Sequence, residues 1–409
     1  MGDKMDKMVK SASSDDTQSS EGKSKIGDYF KANLREYGLL LALIVVMVSF
    51  QIMTGGILMK PLNLTNLVLQ NSYVVIMAIG MLLVIVAGHI DLSVGSVVGF
   101  IGALAAVMIV NYDINYMVTI VVCLIVGTAI GAAQGFWVAY YKIPAFIVTL
   151  AGMLVFRGLT LALLQGQSVG PFPVPFQKMS SGFIPDLLGS GRPHILTIAL
   201  SVALSLFILY SAFKKRREQA KFGTVDEPYA FFLGKNILIV FAINYLSYVM
   251  AGYKGYPNVL IVMAVLISIY SFVTTRTTIG RRIYALGGNE KAAKLSGVNT
   301  AKLTFLTFAN MGMLAAFAGL VFAARLNTAT PKGGFTFELD VIAAVFIGGA
   351  SMSGGVGTVI GAVIGAFLMG VMNNGMSIMS IGIDYQQVIK GLVLLAAVIF
   401  DVYNKNKAQ

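Results

Sequence analysis

The chain has 409 residues, of which 57% are hydrophobic and only 12% are charged. A typical soluble domain carries about 25% charged residues, so this composition excludes an ordinary soluble enzyme and predicts an all-α, polytopic helical membrane protein. The formal net charge of +12 does not indicate nucleic-acid binding, because the lysines and arginines lie in loops between apolar segments, where they orient a membrane protein.

Residues that could carry chemistry are scarce. Cys123 is the only cysteine, and His89 and His194 are the only histidines, so we expect no disulfide, cysteine-based zinc site or histidine-rich metal site. The chain also lacks a complete phosphate loop, a His-Glu-x-x-His motif and a Gly-x-Ser-x-Gly elbow. We therefore expect no catalytic residue, cofactor or metal, and any ATP hydrolysis would take place on another polypeptide.

Apolar segments divide the chain. Residues 1–36 are polar and are predicted to form a disordered cytoplasmic tail, 37–402 a transmembrane domain, and 403–409 a cytoplasmic C-terminal tail. The candidate spans are 37–54, 66–88, 93–111, 116–139, 144–163, 195–213, 236–252, 258–275, 303–324, 339–353, 357–377 and 385–402.

The number of spans depends on the shortest segments. A membrane span needs about 17–25 residues, and several segments are near the lower limit. The pair 339–353 and 357–377 is either two spans or one broken helix that faces a cavity. The prediction is therefore about 10–12 transmembrane helices.

Lysine and arginine are concentrated in two loops. Six lie within 214–235 and six within 276–302, and both loops share a side with the termini if the N-terminus is inside. Cytoplasmic loops carry the excess of Lys and Arg, so both termini are predicted to be cytoplasmic. The first loop is also expected to attract anionic lipid head groups.

A polar break at 88–96, GHIDLSVGS, separates two apolar runs. Ionisable residues near a membrane interior are candidates for a functional role, so we expect the translocation pathway to include this break. A second interpretation, compatible with the first, is that Asp91 or Ser93 caps the next helix. The pathway candidates are Asp91, Ser93, Gly95 and Ser96.

Residues 165–194 form the longest predicted outer loop. Its alternating Pro171, Pro173 and Pro175 make a regular helix unfavourable, and Phe172, Phe176 and Phe183 supply apolar anchors. The loop either covers the mouth of a pathway and meets an extracytoplasmic partner, or lies on the outer surface.

The basic loop 276–302 contains the pattern of a short helix. Asn289 is a good N-cap, Glu290 suits the first turn, and Gly297 suits the position after the helix end. Gly287 and Gly288 are expected to bend the chain just before it. The loop either serves topology alone or touches something at the membrane surface. Elsewhere, Arg157 lies within a span, and its partner is not identifiable from the sequence.

Four motifs occur in order: GHIDLSVGSVVGF at 88–100, IPAFIVTLAGMLVFRGLT at 143–160, TTIGRRIYALGGNEKAAKLSGVN at 277–299 and FELDVIAAVFIGGASMSGGVGTVIGAVIGAFLMGVMNNGM at 337–376. They resemble the permease subunits of ATP-binding-cassette (ABC) sugar importers of the ribose/xylose type, near the multiple-monosaccharide branch. The apolar segment 236–252 departs from shorter relatives, which have about ten spans.

The resemblance implies the permease fold of a sugar ABC importer in a bacterial inner membrane. It also implies a permease homodimer, a cytoplasmic ABC ATPase and an extracytoplasmic sugar-binding protein. The loop that would dock on the ATPase carries Gly287, Gly288, Asn289, Glu290, Ala293, Ser296 and Gly297. Two rival functions are an ion-coupled secondary sugar transporter and an ABC permease for a non-sugar solute.

Overall fold

The computed structural model describes residues 34–189, 191–224 and 227–408, and these residues form an all-α structure. The helices are α1 (Leu34–Met53), α2 (Pro61–Val86), α3 (Val94–Ala106, continued by a π-helical turn, Val107–Asn111), α4 (Tyr116–Tyr140), α5 (Ala145–Leu164), α6 (Val174–Ser181), α7 (Ile195–Lys221), α8 (Tyr229–Ala251), α9 (Asn258–Arg276), α10 (Thr278–Gly288), α11 (Glu290–Leu295), α12 (Thr300–Leu326), α13 (Phe337–Ile347), α14 (Val359–Ile378) and α15 (Ile383–Ala408).

Each predicted apolar segment forms a helix. Nine helices in the described part of the chain are long and apolar enough to cross a membrane, which confirms the polytopic all-α class. Residues 1–33 of the predicted tail 1–36 lie outside the described residues, and α1 begins at Leu34. At the other end, α15 continues to Ala408, so the predicted C-terminal tail extends a helix; its cytoplasmic location stays a prediction.

The described residues divide into two units, which lie within 1–41 with 186–255 and within 42–185 with 256–409. In the first unit, α7 and α8 pack as a helical hairpin. Asn244 of α8 donates to the hydroxyl of Ser205 at 2.7 Å and accepts from that of Ser201 at 3.1 Å. Such polar contacts hold helices together where lipid offers no hydrophobic driving force. The predicted loop 214–235 is largely helical, because α7 continues to Lys221 and α8 starts at Tyr229.

The second unit is organised around α2. Nearly every residue of this helix from Leu64 onward is buried, and it packs against α9, α10, α12, α13 and α14. Two amide contacts tie it to α14: Asn71 donates to the Ala366 carbonyl at 2.7 Å, and Asn63 and Asn374 exchange hydrogen bonds of 2.9 and 3.1 Å.

Small residues bring α4 and α12 close together. Gly127 and Gly131 lie one turn apart on α4, opposite Gly312 of α12. A Cβ on Gly127 would lie 2.7 Å from the Gly312 carbonyl oxygen, and one on Gly131 would lie 2.9 Å from the Gly312 Cα. Glycines at these positions therefore allow the two helix backbones to approach closely.

Helix α13 is too short to cross a membrane. Its 11 residues cover about 16 Å at 1.5 Å per residue, about half the thickness of a bilayer core. The following residues 348–358 are non-helical, and their backbone is satisfied by protein, since the Gly355 amide donates to the Val86 carbonyl at 2.8 Å. Neither predicted alternative for 339–377 describes the structure: α13 is too short to span, and it packs antiparallel against α14, which is long enough to span alone.

The predicted absence of a regular helix in 165–194 is wrong for one segment. Helix α6 spans Val174–Ser181, because Pro173 stands before it and Pro175 is in its first turn, where the missing amide hydrogen costs nothing. The apolar anchors are as predicted, with Phe172 and Phe176 buried and their rings 4.8 Å apart.

Candidate functional site

The short helix α11 is capped at both ends as the sequence predicts. The Asn289 side chain accepts a hydrogen bond from the Ala292 amide at 3.0 Å. Beyond the last turn, the Gly297 amide donates to the Lys294 carbonyl and the Val298 amide to the Ala293 carbonyl, each at 3.0 Å. This pair of bonds is a Schellman motif, and Gly297 takes the left-handed conformation that it needs, with φ of 82°.

The face that α11 turns outward differs from the predicted one. Ala293, a predicted partner contact, is only 4% exposed and packs inward, whereas Leu295 is 90% exposed. Ala292, Ser296 and Gly297 are exposed as well.

Gly287 and Gly288 do not bend the chain. They are the last two residues of α10, and the turn is made by Asn289, which has an extended backbone with φ of −161°. Gly287 instead permits a close approach: a Cβ there would collide with the Val86 carbonyl oxygen and lie 2.7 Å from the Gly355 amide nitrogen. The Tyr284 hydroxyl secures the same contact by donating to the Gly357 carbonyl at 2.7 Å.

Glu290 joins α11 to the connection between α4 and α5. Its Oε1 lies 3.2 Å from Nζ of Lys142, and both side chains are more than half exposed. The hydrogen bond from Lys142 is the main cause that lowers the pKa of Glu290 below its ordinary value. Exposed ion pairs contribute little free energy, so this contact orients α11 more than it stabilises the fold.

Asp91 is buried, with 3% of its surface exposed, and it closes a turn. Its Oδ1 accepts from the Ser93 amide at 2.8 Å and from the Ser93 hydroxyl at 2.7 Å. Neither side chain caps α3, since Ser93 makes no capping bond, so the capping interpretation is wrong. The Ser93 hydroxyl also lies 3.0 Å from Oε1 of Gln134 on α4, a neighbour that the sequence did not reveal.

The other two candidates in this break serve packing. Ser96 is buried and donates to the Ser93 carbonyl at 2.7 Å. Gly95 faces the turn before α13, where a Cβ would lie 2.5 Å from the Gly334 carbonyl oxygen and would collide with the Glu338 carboxylate. The structure thus brings Asp91 and Ser93 together and places Gly95 beside Glu338.

Two ion pairs lie within the bundle. Arg157 Nη2 contacts Glu338 Oε1 at 2.6 Å, and the guanidinium stands 4.8 Å from the centre of the Phe335 ring. Lys390 Nζ contacts Asp340 Oδ1 at 2.9 Å. Sequence reasoning left Arg157 without a partner because 181 residues separate it from Glu338. Among the described residues, no three His, Cys, Asp or Glu side chains are grouped so as to hold a metal ion.

Comparison with known proteins places these features in a wider group. Residues 63–398 match the family model described as "Branched-chain amino acid transport system / permease component". The chain is 38% identical over 378 residues to the xylose transport system permease protein XylH of Haemophilus influenzae, covering 92% of this chain and 98% of that protein.

Two relatives from Escherichia coli show similar coverage. Its XylH is 37% identical over 376 residues, which cover 92% of this chain and 94% of that protein. Its ribose import permease protein RbsC is 33% identical over 374 residues, which cover 91% and 96%. No solved structure matches the chain.

Proposed function

The chain belongs to the family of transport-system permease components, and from this premise we propose that it is the membrane-spanning permease subunit of an ATP-driven monosaccharide importer. The observation that carries the proposal is identity of 33–38% over more than nine tenths of the chain with permeases named for xylose and ribose transport. The cargo is a monosaccharide of the xylose, arabinose, ribose or galactose class, and the membrane is the bacterial inner membrane.

The family description itself names a different cargo. It mentions branched-chain amino acids, which favours the rival permease for a non-sugar solute. The sugar proposal is preferred because the relatives that match almost end to end are named for xylose and ribose. Identity over the full length reports on the cargo more closely than a model that describes a broad family.

The surface of α11 supports docking of an ABC ATPase. Leu295 offers an apolar side chain that is almost wholly exposed, and a single exposed apolar anchor with small neighbours suits insertion into a groove of a partner. Asn289 and Gly297 fix both ends of the helix, so it is ordered before the partner arrives. Preorganisation of this kind reduces the entropic cost of binding.

The family supports the sugar-binding protein, and the second permease copy is part of the same proposal. Two copies of the permease form the pathway, and an extracytoplasmic sugar-binding protein delivers the sugar to the face that carries α6. ATP binding and hydrolysis change the contacts at α11 and shift the permease between two access states. Asp91 and Ser93 lie on the pathway near its cytoplasmic end, and both chain termini lie in the cytoplasm.

Sugar uptake tests the proposal. Cells that lack the chain and cells that produce it, each with the partner subunits, are supplied with labelled D-xylose, L-arabinose, D-ribose and D-galactose. Accumulation of at least one sugar only in the presence of the chain is expected. Accumulation of none, together with uptake of labelled leucine or valine, would transfer the assignment to the non-sugar rival.

The energy source distinguishes the proposed ATP-driven importer from the rival ion-coupled transporter. An ion-coupled transporter needs acids or histidines near mid-membrane that bind the coupling ion. Glu338 and Asp340 of α13 are instead each paired with a basic side chain. Uptake is expected to stop when ATP is depleted and to persist when an ionophore removes the ion gradients; the reverse pattern would support ion coupling.

A further inference from the structure

Helix α7 packs against α8 with one face and leaves the opposite face exposed. Arg216 lies on the packed side: its guanidinium stands 4.7 Å from the centre of the Phe232 ring, and its Nη1 donates to the Glu227 carbonyl at 3.0 Å. Phe213 turns to the same helix, with its ring 5.2 Å from that of Phe232. These contacts fix which face of α7 points away from α8.

Residues on the exposed face change in character along the helix. Phe207 and Tyr210 are each 66% exposed, and Lys214, Arg217 and Lys221 are exposed as well. Steps of three and four residues place these five side chains one above another on a single face. The face is aromatic first and basic afterwards, over about 20 Å of helix.

The cations of this face are free to bind a ligand. Within the described residues, Lys214, Arg217 and Lys221 take part in no hydrogen bond or ion pair. Lys215 adds a fourth exposed cation, and Glu218 is the one acid between 214 and 221. The C-terminal end of α7 therefore carries a net positive charge that calls for an anionic partner.

The order of side chains matches the cross-section of one membrane leaflet. Aromatic residues are enriched where acyl chains meet head groups, and Lys and Arg next to a span attract anionic lipids. Lys214 lies about 6 Å along the helix from Tyr210, about the depth of the head-group layer on one side of a bilayer. Arginine binds phosphate through parallel hydrogen bonds, and lysine acts as a point charge.

Other occupants fit this face less well. A soluble protein would meet the basic end and leave the exposed rings of Phe207 and Tyr210 uncovered. A second copy of this chain, docked through the same face, would bring like charges together. A phospholipid covers both parts, since its acyl chain is apolar and its phosphate is negative.

We propose that the exposed face of α7 binds an anionic phospholipid of the cytoplasmic leaflet, with the phosphate at Lys214, Arg217 and Lys221 and an acyl chain along Phe207. Arg216 is engaged with α8 and stays outside this site. The inference adds a partner to the sugar, the ATPase and the sugar-binding protein, and it does not depend on which solute the permease carries.

The test uses the full chain purified in detergent and two lipids with the same acyl chains, phosphatidylglycerol and phosphatidylcholine. Native mass spectrometry measures how many molecules of each lipid the protein retains. The variant Lys214→Gln/Arg217→Gln removes two charges from the face. The matched control, Arg281→Gln/Lys302→Gln, also removes one arginine and one lysine, both exposed and both in the other basic loop.

The wild type should retain phosphatidylglycerol in preference to phosphatidylcholine, because only the first has a net negative charge. Each cation near an anionic membrane surface changes lipid affinity by about fivefold, so the α7 variant should bind phosphatidylglycerol about 10- to 30-fold more weakly. The control should behave as wild type, and phosphatidylcholine retention should be equal in all three proteins. The Tm in detergent alone should also be equal, since the replaced side chains are exposed.

Three outcomes would contradict the proposal. Equal retention of the two lipids by the wild type would leave the face without a preference for anionic lipid. Equal loss of phosphatidylglycerol in the α7 variant and in the control would mean that net charge alone attracts the lipid. Unchanged retention in the α7 variant would show that Lys214 and Arg217 serve topology only.

Discussion

At the scale of single residues, Leu295 decides whether α11 is a docking element. Leu295→Ala should leave the fold intact, because the side chain touches little of this chain. Co-purification of the ATPase and sugar-stimulated ATP hydrolysis should both fall, with a cost of about 1–3 kcal/mol for an anchor residue. The matched control is Leu187→Ala, which removes an 80% exposed leucine outside the loop. Equal ATPase retention in both variants would leave α11 without a docking role.

Glu290 gives a prediction about pH. Because the Lys142 hydrogen bond lowers the pKa of Glu290, the contribution of this pair to stability is present above the ordinary pKa of the carboxyl and is lost as the pH falls through the lowered value. Both side chains are more than half exposed, so the contribution is at most about 1 kcal/mol. Lys142→Met should therefore leave the Tm almost unchanged between pH 6 and pH 8. A large loss of Tm in that window would mean that the pair supports the fold.

Asp91→Asn tests the break before α3. Asparagine can still accept hydrogen bonds from Ser93, so insertion and abundance should change little. We expect uptake to fall several-fold, because the carboxyl group that accepts from both the amide and the hydroxyl of Ser93 is replaced by an amide. The measurement pairs uptake with membrane abundance. Normal uptake at normal abundance would remove Asp91 from the pathway.

At the scale of elements, the contact between α4 and α12 has no spare volume. Gly131→Val would push a side chain into the Gly312 backbone, which lies 2.9 Å from a Cβ at position 131. Overpacking costs about 1–3 kcal/mol or more, so we expect a lower Tm and less folded protein in detergent. Gly158→Val, at an open position, is the control. Equal stability of the two variants would show that the helices separate easily.

Hydropathy located the helices well, but it did not predict where some of them end, which face of a short helix is buried, or which side chains pair. Every predicted span is a helix, since long apolar runs are the strongest signal in a sequence. The predicted segment 339–353 runs past the end of α13 at Ile347, although Gly348 and Gly349, which follow directly, are the residues that favour a helix end. The orientation of α11 was open for a related reason: two turns are too short for a periodic pattern to show which face is buried. The Arg157–Glu338 pair depends on tertiary contacts that no local pattern encodes.

At the scale of the whole molecule, the positive-inside rule predicts the orientation of the chain in the membrane, and cysteine labelling can test it. Cys123 is the only cysteine and is buried, so a maleimide should not label the natural chain. Leu187→Cys should react with a membrane-impermeant maleimide on intact spheroplasts. Leu295→Cys should react only after permeabilisation. The opposite pattern would reverse the predicted orientation of both termini.

The contact of Gly287 with Val86 and Gly355 has a mechanical consequence. Side chains between two helices absorb small displacements by changing rotamer, but at this point three backbones meet directly. A close-packed interior of this kind transmits strain. Helix α10, which leads into α11, is therefore in direct backbone contact with α2 and with the non-helical residues 348–358. Under the docking that we propose, a displacement of α11 would be passed on by backbone contact and would not be absorbed by side-chain rotamers.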